Sequence, residues 1–253
     1  MQPLNSARLK IHRANIHIGN LKRSIGRSFN PQYTIIEKPV SKGIFQGAKL
    51  VDVDIDPSLK ADSWGLIIGD IVTNLRASLD HIAWELAMLH IRQTGGKKLT
   101  PSQARTVQFP LYDDPSAMTD RRRGVRALQY VLPQAHTEIK HFQPYNRRNW
   151  PELRLLRDLE LLSNADKHRL VTPTNIRAKI RLTPNDEGIV AILNKHRNSQ
   201  FIADIGTNLK PNITYIIAVY PRDILHPMDI EELTLIHNFI RDEVIPAFTS
   251  FFE

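Results

Sequence analysis

Apolar residues recur every three or four positions at Ala7, Ile11, Ala14, Ile18, Leu21 and Ile25, which predicts a helix over about 6–28. Asn30-Pro31 ends it. Tyr33–Val40 and Ala48–Asp54 are rich in β-branched residues and predict strands over about 33–40 and 48–54. A second helical period, on Ile71, Leu75, Leu79, Ile82, Leu86 and Leu89, predicts a helix over about 62–92, stopped by Gly95-Gly96. Residues 97–133 hold four prolines and read as loop, with short helices expected over 120–130 and 134–142. A Leu-rich helix follows over about 153–167, then strands over about 176–182, 188–194 and 213–220. A last helix is expected over about 228–251, bent or restarted near Pro246 because proline removes a ladder donor.

No internal repeat and no regular strand–helix alternation is visible. The pattern predicts an α+β fold, a helical bundle with an antiparallel β-sheet alongside. One domain spanning residues 1–253 is expected, because the first and last helices need partners.

The faces of these helices point to chemistry. Asn74, Ser78, His81 and Glu85 form a polar stripe on one flank of the 62–92 helix, and Arg76 and Asp80 lie on the other at i,i+4 spacing. The stripe reads either as a hydrogen-bonded helix contact or as a pocket wall. Continuing the stripe of Leu155, Leu156, Leu159 and Leu162 carries Asp166 onto the apolar face, unless the helix stops at Asn164. His237 falls within the stripe of the last helix, as a core residue or as a ligand.

Charge adds a second line. The chain has 253 residues, a net charge of +8 and no cysteine, which removes disulfides, thiolate nucleophiles and zinc–cysteine sites. Residues 1–30 carry +6, 31–120 carry −2, 121–181 carry +9 and 182–253 carry −5. Two basic segments of this kind suit a polyanion held in a salt-dependent way. Pro144-Tyr145-Asn146-Arg147-Arg148-Asn149-Trp150 interleaves aromatics with cations, a pattern that can stack bases and clamp phosphates. The expected substrate-binding residues are Arg121, Arg122, Arg123, Tyr145, Arg147, Arg148, Trp150, Lys167 and His168. Walker, GxGxxG, GxSxG and HExxH motifs are absent. No run approaches a membrane span and Met1–Ser6 opens no apolar signal core, so a cytoplasmic protein without membrane contact is expected.

The stretches from Gly69 to Trp84 and from Leu162 to Arg169 resemble a widespread set of bacterial proteins with no established activity, which share the ending from Glu243 to Phe248. Arg76-Ala77-Ser78-Leu79-Asp80-His81 also resembles the Arg-x₄₋₆-His mark of the HEPN superfamily of helical-bundle ribonucleases. That resemblance implies metal-independent RNA cleavage, usually across a homodimer. His81 would be the acid/base and Arg76 the phosphate-binding group, with Asn74 and Asp80 orienting them. No cofactor would be needed. Ala77 stands where the pattern usually has a polar residue. An ideal helix puts Arg76 and His81 about 140° apart.

Two other classes fit the residues. His81, Asp166 and His237, from three helices, form a usable set for a divalent metal such as Fe(II), Mn(II) or Zn(II). Alternatively, the basic segments and the aromatic loop hold nucleic acid or an acidic partner without catalysis.

Overall fold

A computed structural model describes residues 3–28, 33–39, 41, 48–55, 61–167, 174–184, 191–195, 198–204, 209–219 and 230–253, with side chains at 3–25, 39, 41, 64–164 and 230–253. The chain forms two compact units, one of residues 1–23, 62–174 and 219–253, the other of residues 24–61 and 175–218.

The first unit is helical. Helix α1 runs Asn5–Ser28, and α2 follows in this unit as Ala61–Thr94. Short helices α3 (Pro101–Ala104), α4 (Ser116–Thr119), α5 (Gly124–Leu128) and α6 (His136–His141) punctuate the long connection to α7 (Arg154–Lys167). Helix α8 (Ile230–Phe239) and the three-residue α9 (Ile245–Ala247) close the chain, joined by a π-helical turn at Ile240–Val244.

Most residues of the predicted stripes are buried, Ile25 and Leu89 at their ends being half-buried. Ala7, Ile11, Ala14, Ile18 and Leu21 of α1, Ile71, Leu75, Leu79, Ile82 and Leu86 of α2, Leu155, Leu156, Leu159 and Leu162 of α7, and Leu233, Ile236 and Ile240 of the last helix are all buried. Gly95 stops α2 at φ 63°, where a side chain would be strained, and the Gly96 N–H returns to the Ile91 carbonyl at 3.0 Å. Pro246 does not break the last helix. It lacks the N–H that would bond Asp242, and the turn before it widens, so that the Ile245 N–H reaches Ile240. Gly124 lies so close to the backbone of Met118 that a Cβ would come within 2.4 Å of it.

In the second unit, β1 (Tyr33–Pro39), β2 (Ala48–Ile55), β4 (Ala191–Lys195) and β5 (Asn198–Asp204) form an antiparallel sheet in the order β1-β2-β5-β4, with Val51 opposite both Glu37 and Phe201. Strands β3 (Thr174–Pro184) and β6 (Leu209–Val219) pair separately.

The α+β expectation is corrected by this division. The bundle is a helical body with no strand inside it beyond the boundary residues Thr174 and Val219, so it is not a bundle packed with an antiparallel sheet as one fold. The apolar stripes of α1, α2, α7 and α8 are buried. Residues 40, 188–190 and 220 of the expected strands, and 228–229 of the expected last helix, lie outside the described residues. No helix among the described residues is long and apolar enough to cross a membrane.

Candidate nucleic-acid interface

The Arg76–Asp80 pair, which the spacing suggests is a surface pair, is a clamp. Arg76 is 7% exposed. Its Nη2 donates to the Phe109 carbonyl at 2.7 Å and lies 3.2 Å from Asp80 Oδ1, and its Nε is 3.6 Å from Glu160 Oε2. The same Asp80 oxygen accepts the Phe109 N–H at 3.0 Å. Both backbone groups of a fully buried residue are thus held by two side chains one helical turn apart. The segment 107–112 is neither helix nor strand; the Val107 N–H and the Tyr112 carbonyl find backbone partners, and the Phe109 and Pro110 groups and the Tyr112 N–H take theirs from side chains. Gln143, itself 0% exposed, continues the clamp. Its Nε2 donates to the carbonyls of Pro110 and Ile139, and its Oε1 accepts the Tyr112 N–H. Arg76 Nη1 and Nε are buried and make no hydrogen bond.

His81 is not brought to this guanidinium. It lies half-buried, with the charges of Lys10, Asp80 and Glu85 near it. Burial, then the Lys10 ammonium, hold its pKa below the ordinary value, against the pull of Asp80 and Glu85. The rest of the polar stripe is structural. Asn74 Nδ2 donates to the Asp70 carbonyl and Ser78 Oγ to that of Leu75. Glu85 accepts the Leu4 N–H at 2.7 Å and the Ser6 hydroxyl at 2.5 Å, fixing the start of α1 where Leu4 takes a left-handed φ of 57°. Asn74 thus bonds a backbone carbonyl of its own helix, while Asp80 holds both the Phe109 N–H and the Arg76 guanidinium.

The metal set is not assembled by the described residues, among which no group of three His, Asp or Glu side chains could hold an ion. His237 is 3% exposed, with Nδ1 3.0 Å from Asn238 Oδ1 and a hydrogen bond to the Ile11 backbone, as a satisfied core histidine. Helix α7 continues through Asp166 to Lys167, and the side chains of both lie outside the described residues, as does all of His168.

Burial is the largest influence on His81 and on His237, and it lowers both pKa values. The unfolded chain, with histidines near the ordinary value of about 6.5, takes up these protons first as pH falls. Both groups therefore contribute stability that is fully present above about pH 6.5 and is lost as pH drops through the lowered folded values. Denaturation midpoints are expected to fall between about pH 7 and 5. His237→Gln should flatten that slope, and an unchanged slope in that variant would contradict the assignment.

The aromatic and basic loop has a different character. Trp150 packs against His141 and Phe142 at a tilt and against Phe239 edge to face, with ring centroids 5.2, 5.4 and 5.3 Å apart. His141, Asn146, Asn149, Trp150 and Leu153 line an open cleft of about 520 Å³. Asn146 stiffens the cleft by donating from Nδ2 to the carbonyls of Lys140 and His141 at the end of α6. Tyr145 and Arg147 do not line it. The Tyr145 hydroxyl donates to Lys140 O at 3.4 Å, and burial raises its pKa. Arg147 and Arg157 share Asp113, at 2.9 and 2.7 Å. Arg148 and Lys140 are exposed and make no ion pair among the described residues. Arg121, Arg122 and Arg123 are exposed on the turn before α5. Arg123 lies over the Tyr112 ring at 5.1 Å, and the Arg122 N–H is held by Asp120. Of the expected substrate-binding residues, Trp150 lines the cleft and Arg148 flanks a lining residue in the chain. His141 escaped the sequence reading, since its place beside Trp150 is made by the turn between them.

Comparison of the chain with family models, curated proteins and solved structures found no match.

Proposed function

We propose that this protein binds single-stranded RNA, with an unstacked base entering the cleft at Trp150 and His141. The observation that carries this reading is the cleft itself. Its volume lies in the range of ligand sites, two aromatic rings and two amides line it, and it sits within the segment of highest positive charge. Unpaired bases stack on such rings and offer their edges to amides such as Asn149. Arg148 and Lys140, exposed beside the lining residues in sequence, supply cations for the adjoining phosphates. Cleavage by Arg76 and His81 is not favoured, because the guanidinium is enclosed and spent on Phe109 while the imidazole lies near Lys10 and Glu85.

The test is the affinity of a labelled single-stranded RNA 12-mer at fixed salt. Trp150→Ala is expected to weaken binding roughly tenfold to a hundredfold, the range for loss of one stacked base. Arg148→Ala is expected to weaken it less and to reduce its salt dependence. An unchanged affinity in Trp150→Ala, or no binding by the native protein at low salt, would overturn the proposal.

A further inference from the structure

Helix α1 buries Ala7, Ile11, Ala14, Ile18 and Leu21. Its opposite face is unusual in having no acidic residue anywhere along its 24 residues. At 100° per residue, Leu9 and Ile16 run down the centre of the outward face, with Arg13 on one side and His12 and Arg23 on the other. Leu9 is 60% and Ile16 39% exposed, and Arg13, Lys22 and Arg23 are exposed too. A solvated helix face ordinarily interleaves both signs of charge at i,i+4. Here Arg23 Nη2 bonds only the neutral Asn20 Oδ1, at 2.5 Å, and none of these three cations is ion-paired among the described residues. The repulsion between them brings the fold no visible return.

We propose that this face of α1 is a second contact surface for the same ligand, one that holds the phosphodiester chain and reads no base. The inference rests on the reading of RNA as the ligand and adds a division of labour, with phosphates on Arg13 and Arg23 and a base at Trp150. Charge complementarity selects the occupant. Guanidinium forks match phosphate oxygens, and the ten residues between Arg13 and Arg23 span about 15 Å, room for several phosphates. A lipid surface fits less well, since Leu9 and Ile16 are two single side chains about 10 Å apart rather than a continuous apolar face. The face also has no Phe, Tyr or Trp to stack a base, its one ring being the His12 imidazole.

The experiment uses two labelled probes of equal length, a single-stranded RNA and an abasic sugar–phosphate oligomer, titrated at several salt concentrations. The native protein is expected to bind both, the abasic chain more weakly. Arg13→Gln with Arg23→Gln should weaken the abasic chain about tenfold and lower the magnitude of the salt slope by about 1.4, the value for two phosphate contacts on a single strand. Trp150→Ala should leave the abasic chain unaffected. Both arginines are exposed, so circular dichroism should show the double variant folded. Abasic binding that is unchanged in the double variant overturns the α1 surface, while a Trp150 effect on RNA in the same series keeps the cleft. Loss in the double variant with no Trp150 effect keeps α1 and overturns the cleft. Tighter binding to phosphatidylglycerol vesicles than to either oligomer overturns the choice of partner.

Discussion

Arg76→Ala is expected to destabilise the protein by about 3 kcal/mol rather than to leave a folded but inactive one. The substitution removes the donor to the Phe109 carbonyl at a residue that is 0% exposed. An orphaned buried carbonyl costs about 1–3 kcal/mol. The buried stem is lost as well, at about 0.8 kcal/mol per methylene. The ion pairs add little, because Asp80 and Glu160 remain 34% and 30% exposed. Two unbonded nitrogens, Nε and Nη1, already limit what the guanidinium contributes. Arg76→Lys keeps the charge but cannot hold Phe109 and Asp80 with one planar fork, and it should fall between the two. Urea unfolding measures all three proteins. A loss below about 0.5 kcal/mol for Arg76→Ala would mean that the clamp is not structural, and would return Arg76 to the candidates for phosphate binding.

Gln143→Leu is expected to cost a similar amount, about 3 kcal/mol, for a change of nearly equal volume. The side chain makes three hydrogen bonds, two donated to Pro110 and Ile139 and one accepted from Tyr112. Leucine fills the space and leaves all three backbone groups unpaired. For a chain of this size each kcal/mol shifts Tm by about 2–4 °C, so a fall of about 6–12 °C is expected. The denaturant midpoint should drop with an unchanged m value. A melting curve within 2 °C of the native one, by the same order-of-magnitude scale, would show that water replaces the amide at no cost.

Both predictions concern the segment 107–112, and that segment marks where sequence reasoning stops. The stripe from Ala7 to Leu21, the stripe from Ile71 to Leu86, the stop at Gly95 and the disturbance before Pro246 all arise from residues within a turn or two of one another. Helical periodicity and backbone chemistry act over that range, so these features are written in the order of residues. The outward cations of α1 belong to the same class, since the helix that exposes them is local. The aromatic and basic character of 144–150 was equally legible, but the cleft was not. It needs His141 and Trp150 brought together by a turn, with Phe239 from the last helix behind them.

The role of Arg76 was decided at longer range still. In sequence it stands four residues from Asp80 and five from His81, and both spacings suggest partners. The structure spends it on Phe109, 33 residues away, in a stretch with no periodicity to announce it. The α+β expectation failed for a related reason. Strand-forming segments can be recognised one by one, but how strands and helices group is a matter of tertiary contacts, and here they divide into two compact units. The sequence by itself determined the helices and the faces they bury, because those follow from contacts along the chain. Only the tertiary structure decided that the most conspicuous arginine is a structural clamp, because an unpaired loop backbone inside a core must take its hydrogen bonds from whatever side chains packing brings to it.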